Sequence, residues 1–152
     1  MKILRATLLS KTEAESLLTQ RERAYRAWWL RSPGSLTFCV PVVRENGTID
    51  YFGGHVSFDF VCVRPALKIN LESSDLKIGD TISFGGKTFK IISDDLAFCL
   101  EDIGTHCFRK EWKALDANKY AVSDVKRFVD AWFKATLREE TRKKSLMRTK
   151  SL

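Results

Sequence analysis

The chain has 152 residues, a net charge of +7 and 44% hydrophobic residues, the values of one domain with a core of its own. This balance excludes a disordered or fibrous chain, and no apolar run approaches the roughly 18 residues of a membrane span. The opening MKILRATLLSKTEAE lacks the apolar stretch and small-residue cleavage site of a secretory leader, so the expected location is cytoplasmic.

In chain order, KILRATLL reads as a strand, and Ser10 with Glu13 forms a capping box that starts a helix through Ala14, Leu17 and Leu18. Ser32-Pro33-Gly34 stops that region in a loop. Leu36–Arg44, Thr48–Phe52 and His55–Val63 then read as an antiparallel meander. Its turns are Asn46-Gly47, of type I′, and Gly53-Gly54. Period two in HVSFDFVCV puts Val56, Phe58, Phe60 and Cys62 on a core face, with His55, Ser57, Asp59 and Val61 opposite. Pro65 opens another strand, ALKINL, and the polar Glu72–Asp75 stretch marks a junction.

A second β unit follows, DTISF, KTFKII and LAFCL, turning at Gly85-Gly86 and at Ser93-Asp94-Asp95. Glu101–Asn118 is irregular. Ser123-Asp124 caps the clearest helix, with Val125, Phe128, Val129, Trp132 and Phe133 on one apolar face. Short antiparallel strands with two main helices define an α+β fold.

Cys39, Cys62, Cys99 and Cys107 show no disulfide framework, and three of them lie in apolar strand-like runs. Neither C-x-x-C nor His-x₃₋₅-His spacing occurs, so no metal or other cofactor is expected. Of the net charge of +7, +5 lies in residues 134–152, which read as a solvated basic tail. A second cluster, Arg21, Arg23, Arg26 and Arg31, surrounds Tyr25, Trp28 and Trp29. Basic residues among aromatics bind single strands, and they also form the wet end of packed helices.

The segments LLSKTEAE, WWLRSPG and VCVRPALKINL resemble a recurrent bacterial and phage domain of unknown function over Leu8–Leu71. GDTISFGGKTFKIISDD and SDVKRFVDAWF resemble the opening β unit and helix of the same family. In that family they come first. Here they come last, at Lys77–Phe133, so the chain resembles a circularly permuted member. The spacing from Arg-Ser-Pro-Gly to Val-Arg-Pro-Ala is similar to the end of C-type-lectin-like domains, including the formylglycine-generating type and the variable proteins of diversity-generating retroelements.

The resemblance implies a C-type-lectin-like domain over 1–133, made of a 1–71 half and a 77–133 half, followed by the 134–152 tail. It implies that Trp28, Trp29, Arg31 and Arg64 hold the scaffold, while the segment between the two motifs binds ligand. That segment supplies Ser35, Leu36, Thr37, Phe38, Tyr51, Phe52, His55, Ser57 and Asp59 as ligand-binding candidates. All of these residue types can be encoded by codons ending in a pyrimidine, as adenine-directed diversification would give. The calcium motifs of sugar-binding lectins are absent, as is the cysteine pair of the copper-dependent formylglycine-generating enzymes.

The leading expectation is therefore a non-catalytic recognition module of phage or prophage origin, cytoplasmic in the host cell or phage-associated, binding a protein or other macromolecule. The alternative is nucleic-acid binding, or inhibition of a host defence, through 134–152 and the Arg21–Arg31 cluster. No catalytic pattern stands out, because His55 and His106 have no recognisable partners in the sequence.

Overall fold

The computed structural model describes the backbone of residues 1–151 and the side chains of residues 1–146. Along the chain run β1 (Lys2–Thr7), α1 (Lys11–Leu17), α2 (Gln20–Arg23), β2 (Trp28–Trp29), β3 (Cys39–Val43) and β4 (Ile49–His55). They are followed by β5 (Ala66–Asn70), β6 (Thr81–Phe84), β7 (Lys87–Ile91), β8 (Leu96–Cys99), a 3₁₀ turn at Tyr120–Val122 and α3 (Asp124–Ser151). The architecture is α+β. A five-stranded antiparallel sheet has the order β1-β5-β8-β7-β6, and a three-stranded one has the order β2-β3-β4.

Local chemistry explains most boundaries. The Ser10 hydroxyl accepts from the Glu13 amide while the Glu13 carboxylate accepts from the Ser10 amide, the reciprocal capping box expected. A second box, Thr19 with Glu22, starts the short α2. The β6–β7 hairpin turns on Gly85 and Gly86 at φ +63° and +73°, left-handed angles that a two-residue turn needs. At α3 the Ser123 hydroxyl accepts from the Lys126 amide as the cap.

Period two sends side chains to both faces of the large sheet, and each face has its own core. Leu67, Ile69, Phe89, Ile91, Ala97 and Cys99 pack toward α3, whose Val125 and Val129 are fully buried. Ala66, Leu96 and Phe98 face the other way, against Leu9, Ala14 and Leu18 around α1. Tandem tryptophans on β2 alternate in the same manner. Trp28 enters the α1 core and Trp29 the α3 core, both with no exposed surface. Each aromatic of this size buries about 150–250 Å², so β2 joins the two cores despite its length of two residues.

The meander differs from expectation in three places. Asn46-Gly47 is not a type I′ turn: only Gly47 has positive φ, at +87°, and its amide donates to the Arg44 carbonyl. Gly53-Gly54 is not a turn at all, since both lie inside β4, where Gly53 (φ +88°) makes a bulge against β3. A Cβ there would stand 2.1 Å from the Val40 carbonyl oxygen, so only glycine fits.

Beyond His55 the strand ends. The Phe58 amide donates back to the His55 carbonyl in a turn, which cancels period two across HVSFDFVCV. Val56 and Val61 are buried on the same side, while Phe58 and Phe60, read as core from alternation, are 41% and 66% exposed.

The basic segment also changes character. Residues 134–151 continue α3 without a break, so position 133 is no boundary in the helix. The Glu140 carboxylate accepts from the Gly85 amide at 3.1 Å and ties this part of α3 to the β6–β7 turn. The side chains of Arg148 and Lys150, part of the expected basic tail, lie outside the described residues.

Candidate recognition surface

Four residues hold the frame from which the exposed aromatics project. Arg64 is 2% exposed and lies against the rings of Tyr25, Trp28 and Phe98, with its guanidinium carbon 4.7, 5.0 and 4.4 Å from their centroids. Its Nε donates to the Cys99 and Glu101 carbonyls, both at 3.3 Å. Burial pushes the Arg64 guanidinium down to about 10. Arg31 donates to the Leu8 carbonyl at 2.7 Å and to the Glu13 carboxylate. Burial would raise the Glu13 carboxyl, but Arg31 and the Ser10 amide outweigh it and hold it below the usual range. The Trp28 and Trp29 indoles donate to the Arg23 and His106 carbonyls.

This frame consumes the arginine cluster read from the sequence. Arg23 donates to the carbonyls of Ala14, Leu18 and Gly47, and Arg26 pairs with Asp102 at 2.8 Å. Arg31 binds Glu13, so Arg23 and Arg31 are engaged within the fold, while Arg26 makes its pair at the surface and Arg21 is exposed. Arg21–Arg31 is therefore not one basic surface around Tyr25, Trp28 and Trp29, and both tryptophans are buried.

Around the end of β4, rings meet across the surface, edge to face at Trp112 and tilted elsewhere. Phe60 lies 5.0 Å from Phe58, Phe58 lies 5.8 Å from His55, and His55 touches Trp112 at 5.1 Å and Phe38 at 5.4 Å. Phe38 and Trp112 close the group at 6.4 Å, and Lys113 lies over the Trp112 ring at 5.3 Å. Phe58, Phe60 and Trp112 are all exposed, while Phe38 and His55 are half-buried beneath them. Such separations are those of favourable aromatic pairs, so the rings support one another without a lid.

Of the ligand-binding candidates, Phe38, His55 and Ser57 belong to this group. Ser57 places its hydroxyl 2.7 Å from His55 Nδ1 and donates its amide to the same nitrogen. The pair fixes the turn, and among the described residues no carboxylate hydrogen-bonds the imidazole to orient it as a base. Ser35, Leu36 and Thr37 are exposed on the loop before β3, which Asn118 holds by donating to the Gly34 and Leu36 carbonyls. Tyr51 and Phe52 are exposed on β4, the outer strand of its sheet, and make no ring contact with the group. Asp59 is exposed between Phe58 and Phe60.

Phe58, Phe60 and Trp112 were not legible as surface residues. Alternation assigned the first two to the core, and Trp112 sat in a stretch without periodicity. Beside the rings runs an open groove of about 770 Å³ lined by His106, Cys107, Lys110, Asp124, Arg127 and Phe128. Burial, with Asp124 and Asp59 nearby, pushes the Cys107 thiol up, away from the thiolate a nucleophile needs. All four cysteines are free thiols. Among the described residues no three His, Cys, Asp or Glu side chains converge to hold a metal ion. Nor is any helix long and apolar enough to cross a membrane.

No protein-family model, curated protein or solved structure matches the chain.

Proposed function

We propose that this protein is a non-catalytic recognition module that binds a protein partner through its exposed aromatic surface. One observation carries the reading: Phe60, Phe58, His55, Trp112 and Phe38 form a continuous ring group whose Phe58, Phe60 and Trp112 are exposed to solvent. A monomer rarely leaves contiguous apolar area of this kind uncovered unless a partner covers it. Aromatic side chains with few rotors lose little entropy when they are buried against a partner, and they dominate interface hot spots. Ser35, Thr37, Tyr51, Ser57 and Asp59 supply polar groups near the rings or on the neighbouring strand and loop, as a rim does. Within this proposal the scaffold is C-type-lectin-like and of phage or prophage origin, as the WWLRSPG and VRPAL segments suggest, and the partner belongs to the host.

The test is affinity capture from host lysate with the intact chain, set against Phe60→Ser/Trp112→Ala and Tyr51→Ala/Phe52→Ala. The first double variant loses the captured partner while still folding cooperatively, its melting temperature falling by no more than roughly 10 °C as the Trp112 and Phe60 ring pairs are lost. Capture that survives the first double variant, or a collapse of folding in it, refutes the reading.

A further inference from the structure

The outward face of α3 carries a second, chemically different surface. At 3.6 residues per turn, Val125, Phe128, Val129, Trp132, Phe133, Thr136 and Glu140 point inward, and all are buried or half-buried. Opposite them lie Arg127, Ala131, Lys134, Arg138, Arg142 and Ser145, all exposed. Four of these six are cationic and the other two are small. From Arg127 to Arg142 the row spans about 22 Å at 1.5 Å per residue.

Acids of the helix are engaged on its flanks. Glu140 binds the Gly85 amide, Asp130 pairs with Lys126, and Asp124 accepts from the Lys110 amide. Arg127 and Arg142 share their charge with Asp124 and Glu139, at 3.4 and 2.7 Å. Lys134 and Arg138 have no carboxylate within 4.0 Å among the described residues. The middle of the row is thus the least neutralised part.

We infer that this row docks along the phosphate backbone of a nucleic-acid duplex, without base-sequence readout. Duplex DNA presents one charge per roughly 1.7 Å of axis, a density suited to a straight row of cations. Ala131 and Ser145 let the helix approach the backbone, where the cations meet phosphates, contacts that carry no sequence information. Single-strand binders stack bases on aromatics, and this face has none. A membrane-surface helix needs an apolar face free to sink into lipid, whereas the apolar face of α3 is already packed on the large sheet. The surface is separate from the aromatic one, and its role does not depend on the protein-binding proposal.

The experiment is fluorescence anisotropy of a labelled, mixed-sequence DNA duplex of about 20 base pairs, titrated with the whole chain from about 50 mM salt upward. Lys134→Gln/Arg138→Gln/Arg142→Gln is expected to weaken binding at least tenfold, and to reduce the slope of log affinity against log salt by about 2.7. The charge-matched control Lys11→Gln/Arg21→Gln/Lys119→Gln, at exposed positions elsewhere, stays within about threefold of the parent. Ala131→Glu sets a negative charge among the cations, where it repels the phosphates, and weakens binding in a chain with its own fold intact. Absence of duplex binding, equal losses in the two triple variants, or tighter binding to the single strand or to phosphatidylserine vesicles overturns the inference.

Discussion

Arg64 and Cys99 are neighbours in the core around the large sheet, and burial moves both toward their neutral forms. The Cys99 thiol is pushed up to about 11 from its ordinary 9.0. An unfolded chain ionises this thiol first, so the stability it protects is complete below pH 9. That stability falls by roughly 2–3 kcal/mol as pH rises to 11. Arg64 has the opposite sign. Its depressed value of about 10, against 12.5, means that the cost of burying the cation is relieved only above pH 10. Urea denaturation between pH 8 and 11 should therefore show an alkaline decline that is distinctly shallower in Cys99→Val. The other three thiols shift upward too, so part of the decline persists in that variant. Arg64 was legible as a scaffold residue only through its Val-Arg-Pro-Ala-Leu setting. Nothing in the spacing of residues announces that three rings from distant segments close around it.

Elements were most legible where their chemistry is local. The capping box at Ser10, the Gly85-Gly86 hairpin and the apolar face of α3 all depend on residues within a few positions of one another. All three appear where the sequence puts them. Strand β2 was missed because two residues carry no periodicity. It exists because β3 and the Cys62 segment lie on either side of it. Gly-Gly in β4 was read as a turn because glycine pairs usually are turns, yet here one of them makes a bulge. Gly53→Ala is expected to destabilise by about 3 kcal/mol or more, since the Val40 carbonyl must move and φ +88° disfavours a side chain. Thermal unfolding would show this as a fall in melting temperature of roughly 8 °C or more. Gly54→Ala, at ordinary φ with its Cβ 3.1 Å from a Val42 methyl, serves as the milder comparison.

At the scale of the whole molecule, the candidate surface was half legible. Phe38, His55 and Ser57 were identified from their place between two motifs. Their partners Phe58, Phe60 and Trp112 depended on a turn, and on a loop from the second half of the chain folding beside it. Whole-chain placement also decides where the domain ends. A chain cut after Lys144 retains Leu137 and the Glu140–Gly85 bond, and its stability should match the parent to within about 0.5 kcal/mol. One cut after Phe133 loses both and should fall by roughly 2 kcal/mol, measured by urea unfolding. Equal stability of the two would make position 133 the boundary of the stable domain.

Among the described residues strand β1 pairs only with β5, and it also packs against α3. During synthesis β1 emerges long before α3, so β1 waits for α3. A nascent chain halted before Asp124 holds Phe84, Phe89 and Ile91 with no helix over them. Such a chain presents an open apolar sheet to its neighbours. Pairing between segments so far apart also makes folding slow relative to a helical bundle of this size. In a cell, the vulnerable moment of this fold is therefore the interval before residues 124–151 are made.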